Sequence, residues 1–243
     1  KWINEWQDIF EQSNSVVHTT LFVFASGAVL HDQGKFEEAI VLLSKAKNYP
    51  HLSVDYPTPY HGILRKMIEV LVKQHRLTEA QQTLREYEDL LKGFYQDRYE
   101  KSFDSANVLF FKGLISIYTG KNDEATLKHL SEGRQIYRDT FKADKKHRQQ
   151  GRIHLMLGKA YQLKKDFKAA LKEYLLSEEI YDLVMKEKQI DDISELYAAL
   201  AIVGTHLKDE GLAQKYLTAH IETFGLDHPR TEQILGYLDR ELD

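Results

Sequence analysis

Eleven histidines are the first residues in this chain able to hold a metal or move a proton, and no cysteine joins them. A metal centre needs such rings, with or without carboxylates, gathered on one face, as in HExxH or an i, i+4 pair on a helix. The sequence contains neither pattern. His51 and His61 flank a proline-rich stretch, and His31, His75 and His206 fall near the ends of expected helices, where an imidazole caps a helix or sits in solvent. The absence of cysteine removes disulfides, thiolate metal sites and thiol nucleophiles. Serine, histidine and aspartate all occur, but no nucleophile elbow or phosphate-binding glycine loop accompanies them. The expectation is no enzyme and no cofactor. One basic run, residues 142–152, holds Lys145, Lys146, His147, Arg148 and Arg152. It reads as the solvated start of a helix, with an anionic partner or a peptide carboxylate as its functional alternative.

Charge and composition narrow the partners. The formal charge is −4, without the basic footprint that nucleic-acid binding needs. No apolar run approaches the roughly 18 residues of a membrane span, and no signal-peptide pattern is present. A cytoplasmic protein that does not touch a membrane is expected. Only four prolines and thirteen glycines occur, too few for a turn-rich β-sandwich. Helix-favouring residues dominate instead.

The elements that must position any site repeat along the chain. Five segments share a helix with a small residue midway, a short turn, and a second helix that opens with an alanine. The first, LFVFASGAVLHDQGKFEEAIVLLSKAKNYP, carries Gly27, Leu30, Gly34, Phe36, Ala39, Leu43, Ala46 and Pro50. The fourth, HLMLGKAYQLKKDFKAALKEYLLSEEIY, carries Leu157, Gly158, Tyr161, Phe167, Ala170 and Tyr174. The third keeps Gly113, Gly120 and Ala125, and the second and fifth are marked by Ala80 and Ala213. Gly or Ala is needed where two helices cross near 8 Å. Phe36, Leu77 and Phe167, three places before their alanines, are expected to fill the wedge beside that crossing.

These markers resemble the tetratricopeptide repeat family, over residues of about 15–227. Successive alanines lie 41, 45, 45 and 43 residues apart, against about 34 in the ordinary repeat. The surplus is expected to lengthen the second helix of one unit and the first helix of the next. Such long periods resemble kinesin light chains, bacterial transcription activators and Gram-positive peptide-pheromone receptors of the RRNPP type. The fold implied is all-α, a right-handed α-solenoid of about five tetratricopeptide-like hairpins in a single domain, 1–243. An N-terminal cap helix would span 1–14, with Trp2, Trp6, Ile9 and Phe10 on one face. A C-terminal cap helix would span 228–243. The stretch 48–60, with Pro50, Pro57 and Pro59, is expected to be a loop.

In such solenoids the first helices line a concave groove. The resemblance therefore implies a ligand-binding wall of Phe24, Arg65, Glu69, Asn107, Phe110, Leu114, Tyr118, Arg152, Lys159 and Ile202. The lysine and asparagine, the second-unit asparagine, and the third-unit lysine and arginine with which chaperone-binding relatives grip a C-terminal carboxylate are replaced here by Phe24 and Ala28, by Lys66, and by Asn107 and Phe111. A chaperone tail is thus not the expected guest. The implied guest is a peptide or protein segment, and the implied role is peptide sensing in a bacterial transcription regulator, that is, quorum sensing. Homodimer geometry would respond to the peptide, and nucleic acid would be bound only by a separate upstream domain. The alternative is a constitutive scaffold that docks a segment of a larger protein.

Overall fold

The computed structural model describes residues 16–48, 57–121, 123–141, 146–185 and 190–242. Among them are eleven α-helices, a short 3-10 segment, and no strand. The expected N-terminal cap, 1–14, lies outside the described residues. The helices cluster into two compact units, 1–99 and 100–243. The division falls within the 3-10 segment Gln96–Lys101, where the sequence announces no boundary.

Unit 1 contains α1 (Val16–Asp32), α2 (Phe36–Lys47), α3 (Pro57–Lys73) and α4 (Leu77–Tyr95). These form two hairpins, α1 with α2 and α3 with α4, and α3 also packs on α1 and α2. A Cβ placed on Gly27 would lie 2.9 Å from Leu43 Cγ, so the glycine is what lets α1 and α2 approach. In the second hairpin the fully buried Ile68 stands twelve residues before Ala80, where the first hairpin has its glycine. Helix α3 begins at Pro57, so the last residues of the expected proline loop are helical. Proline suits a first turn, because its missing N–H would have had no intrahelical partner there.

Unit 2 contains α5 (Phe103–Tyr118), α6 (Glu124–Phe141), α7 (Arg148–Leu163), α8 (Phe167–Val184), α9 (Asp191–His206), α10 (Glu210–Phe224) and α11 (Pro229–Leu242). Three hairpins, α5 with α6, α7 with α8 and α9 with α10, pack in succession, and α11 lies on α9 and α10 as the expected C-terminal cap. First helices touch first helices: α5 meets α7, α7 meets α9, and α9 meets α11. The close crossings carry glycine again. A Cβ on Gly113 would fall 2.5 Å from Leu130 Cδ2, one on Gly158 would fall 2.3 Å from Tyr174 Cε1, and one on Gly204 would fall 2.7 Å from the Ala213 backbone nitrogen.

Every hairpin turns the same way. Two places after each first helix stands a residue with left-handed φ: Gly34, His75, Gly120, Lys165 and Lys208. Its N–H donates to the carbonyl three residues back, and the next N–H reaches five back, as in Gly34 to His31 and Lys35 to Leu30, both 2.9 Å. This is the Schellman ending, which satisfies the last carbonyls of the helix. Three of the five positions lack glycine, at a cost of about 1 kcal/mol each.

The third turn is longer, with Thr119–Asp123 between α5 and α6. As a result Ala125 is exposed and Thr126, 1% exposed, takes the marker position. Asp123 Oδ1 accepts from the Thr126 backbone N–H at 2.9 Å, and Thr126 Oγ1 bonds Ser116 Oγ at 2.8 Å. A hydroxyl there ties down the extra residue, which alanine cannot do. The surplus period lies partly in long second helices, since α4, α6 and α8 run to 19, 18 and 18 residues. The 3-10 segment takes up a further part. The wedge residues Phe36, Leu77 and Phe167 are half-buried, Phe36 beside the His31 ring and Phe167 stacked 3.9 Å from the His206 ring.

Candidate functional site

Each unit presents its own share of the expected wall. In unit 1, Phe24 is half-buried with its ring over Gly62 of α3, 3.4 Å from where a Cβ would stand. Glu69, 7% exposed, pairs with Lys66 at 2.8 Å on the same helix, and Arg65 is half-buried beside them in sequence.

In unit 2 three of the expected wall residues are not open to a guest. Asn107, Phe110 and Leu114 are 1%, 2% and 5% exposed. Asn107 accepts a 2.7 Å hydrogen bond from the Tyr137 hydroxyl and donates to Asp104 at 3.2 Å. Its amide thus satisfies polar groups buried between α5 and α6. Phe110 lies against Phe111, and the Arg152 guanidinium sits 4.9 Å from its centroid.

Tyr118, Arg152, Lys159 and Ile202 remain half-buried on the first helices, and the first three form two polar rungs. One rung runs from Tyr118 on α5 through Lys159 on α7 to Glu195 on α9. The Lys159 ammonium lies 5.5 Å over the Tyr118 ring and pairs with Glu195, whose carboxylate also accepts from the Tyr118 hydroxyl at 3.2 Å. The other rung joins Phe110, Arg152 and Asp192. Arg148 donates twice to Asp192 Oδ2, at 3.1 and 2.8 Å, while Arg152 Nε lies 3.7 Å from that oxygen and its NH1 donates to Gln149 at 3.3 Å. Burial works against the charge on Arg148, yet Asp192 holds its pKa above the usual value. Two ionic rungs thus cross three successive first helices.

Glu195 and Asp192 are not among the expected wall residues, and Arg148 is expected only as part of the basic run. Both acids lie in the first turns of α9, which starts at Asp191, and both are buried. A usable signal was the acidic DDISE opening of an apolar helix, because a carboxylate in a buried stripe needs a partner. The basic run opens α7, with Lys146 and His147 exposed. His147 is the N-cap of α7 in a capping box with Gln150, its ring stacked 4.5 Å from Phe141, and Arg148 is turned onto Asp192. Lys145 lies outside the described residues.

The histidines include one buried network instead of solvated rings alone. Ser194 Oγ lies 2.8 Å from His220 Nε2, and His220 Nδ1 lies 2.9 Å from Thr231 Oγ1. All three residues are 0% exposed, so this serine–histidine pair meets no substrate. Among the described residues no three metal-ligating side chains come together, and no helix is long and apolar enough to cross a membrane.

No protein-family description matches the chain, and no curated protein matches it in sequence. Its fold is matched. BtubC (BKLC) from P. vanneervenii superposes with a TM-score of 0.58 at 15% identity, over 98% of this chain and 88% of that one. At that identity the likeness is one of fold. Hairpins that pack in succession, four of the five with a glycine at the crossing, give the described residues an all-α, solenoid-like helical arrangement.

Proposed function

We propose that the chain is a peptide- or protein-binding repeat domain that holds a segment against the first-helix face of unit 2. The observation that carries this reading is the pair of ionic rungs Tyr118–Lys159–Glu195 and Phe110–Arg152–Asp192. Buried and half-buried ion pairs add little to stability, since apolar side chains of equal volume serve as well or better. Their place on the first helices fits recognition. Fixed donors and acceptors on this face suit the backbone and charged groups of a bound chain, while the half-buried Ile202 offers an apolar contact. No catalytic role is proposed.

The finer reading is the peptide-sensing domain of a cytoplasmic bacterial transcription regulator. It rests on the long repeat period and its resemblance to pheromone receptors. A guest that competes for Lys159 or Glu195 would alter how α7 sits on α9, which is a means of signalling. The second reading is a constitutive scaffold. It is favoured by the internal pairing of both rungs, which holds the helices in one arrangement before any guest arrives. The gene sequence upstream of Lys1 separates the two. A helix-turn-helix segment there supports the regulator, and an unrelated domain supports the scaffold.

Binding itself is tested by selecting random displayed 12-residue peptides on the purified chain. Affinities of the enriched peptides are then measured for the Lys159→Met/Glu195→Leu double variant, which removes the rung without stranding a charge. Loss of about tenfold or more, close to 1.4 kcal/mol, with unchanged unfolding, is expected. Unchanged affinity, or no enriched peptide, would reject the site.

A further inference from the structure

The seat of α11 gathers ionisable groups that the rungs do not use. His220 of α10 is fully buried between Ser194 of α9 and Thr231 of α11. Thr231 Oγ1 donates to the Gly225 carbonyl at 2.8 Å, so toward His220 it accepts. That places the ring proton on Nδ1 and leaves Nε2 to accept from the Ser194 hydroxyl. The neutral ring is therefore fully satisfied.

The surroundings are poised against a charge. The His228 ring lies 5.2 Å from that of His220, and Phe224 packs on both rings. Helix α11 contributes Arg230 at its start, and α9 contributes Asp191, whose Oδ1 is bonded to Arg230 at 2.5 Å. Protons on the two histidines would set two more cations beside an arginine whose carboxylate is already engaged.

We propose that this cluster is an acid-sensitive latch, in which proton uptake by His220 and His228 unseats α11 from α9 and α10 and uncovers the end of the unit 2 stack. Burial, then the nearby His228 and Arg230, lowers the His220 pKa from 6.5 to about 4, and burial lowers that of His228 as well. With α11 released, both rings return to ordinary values. The open state then binds more protons than the closed one, so opening becomes more favourable as pH falls from about 6.5 toward 4. His220 alone raises the opening equilibrium about 25-fold between pH 7.5 and 5.

The test is hydrogen exchange on the full chain at pH 7.5 and 5.0, corrected for the intrinsic rate change. Protection of residues 231–238 should fall by about 25-fold or more while α7 and α8 keep theirs, and His220→Asn should remove most of the pH dependence. If that variant is open at every pH, ring nitrogen shifts of the wild-type chain decide: His220 should remain the neutral Nδ1–H form at pH 6. Titration of His220 near 6.5, α11 protection that ignores pH, or equal loss across α7, α8 and α11 would each overturn the latch.

Discussion

Gly158 faces Tyr174 across the α7–α8 crossing, and replacing it with alanine sets two effects against each other. Alanine is the better helix former by about 1 kcal/mol. Its Cβ, however, would stand 2.3 and 2.4 Å from two ring carbons of Tyr174, well inside contact distance. The ring cannot swing aside, because Tyr174 is 0% exposed and its hydroxyl is bonded to Gln162 at 2.7 Å. Overpacking of this kind costs roughly 1–3 kcal/mol or more. A helix already held at its crossing distance leaves little room to relax, so the upper part of that range applies. Gly158→Ala should therefore lose about 2 kcal/mol net. Urea unfolding followed by circular dichroism measures it, and Gly93→Ala is the control. Gly93 lies in α4 with nothing within 4 Å of its Cβ position, so there alanine should gain about 0.5–1 kcal/mol. Tyr174→Leu in the Gly158→Ala background should recover part of the loss. If Gly158→Ala is as stable as the Gly93→Ala control, the crossing is not where the structure puts it.

Three further outcomes follow from the packing. Lys165→Gly and Lys208→Gly relieve left-handed backbone and should each gain about 0.5 kcal/mol after the entropy lost to the unfolded chain, read as a rise in urea midpoint. Glu173, 8% exposed, joins Arg134 at 3.2 Å and His154 at 2.6 Å. Burial alone would raise its pKa, but His154 and Arg134 outweigh it and hold it below the ordinary value. Glu173→Gln should cost about 1–2 kcal/mol at pH 7, because the amide keeps one accepting oxygen but replaces the other with an N–H₂ and removes the charge that faces Arg134. The deficit should shrink as pH falls through the folded pKa, where the wild-type carboxylate is protonated too. Phe110→Ala should lower stability by about 3 kcal/mol, whereas Tyr118→Ala, half-buried, should lower it far less, as paired melting curves would show.

The hairpins were legible because glycine and alanine at a helix crossing admit few substitutes. Gly27, Gly113 and Gly158 all lie where a Cβ has no space. The third marker misled by one residue, since Ala125 matches the pattern while Thr126 does the work through its hydroxyl. The turns were half legible. Gly34 and Gly120 announce left-handed backbone, but His75, Lys165 and Lys208 adopt it because the helices on either side impose it. The wall was legible only where its residues are amphipathic. Aromatics at helical spacing look alike whether they face solvent or a neighbouring helix, and Phe110 turned out to be packed. Asn107 was expected on the ligand-binding wall, although its oxygen accepts from Tyr137, thirty residues on. The acidic opening of α9 marks Glu195 as a carboxylate in need of a partner, but nothing local in the sequence names Lys159 as that partner.

Hydrogen exchange of the chain with and without a selected peptide probes the first-helix face most directly. Protection should rise in α5, α7 and α9 around Tyr118, Lys159 and Glu195. Protection that rises in α6, α8 and α10 instead, with the first helices unchanged, would contradict binding at that face.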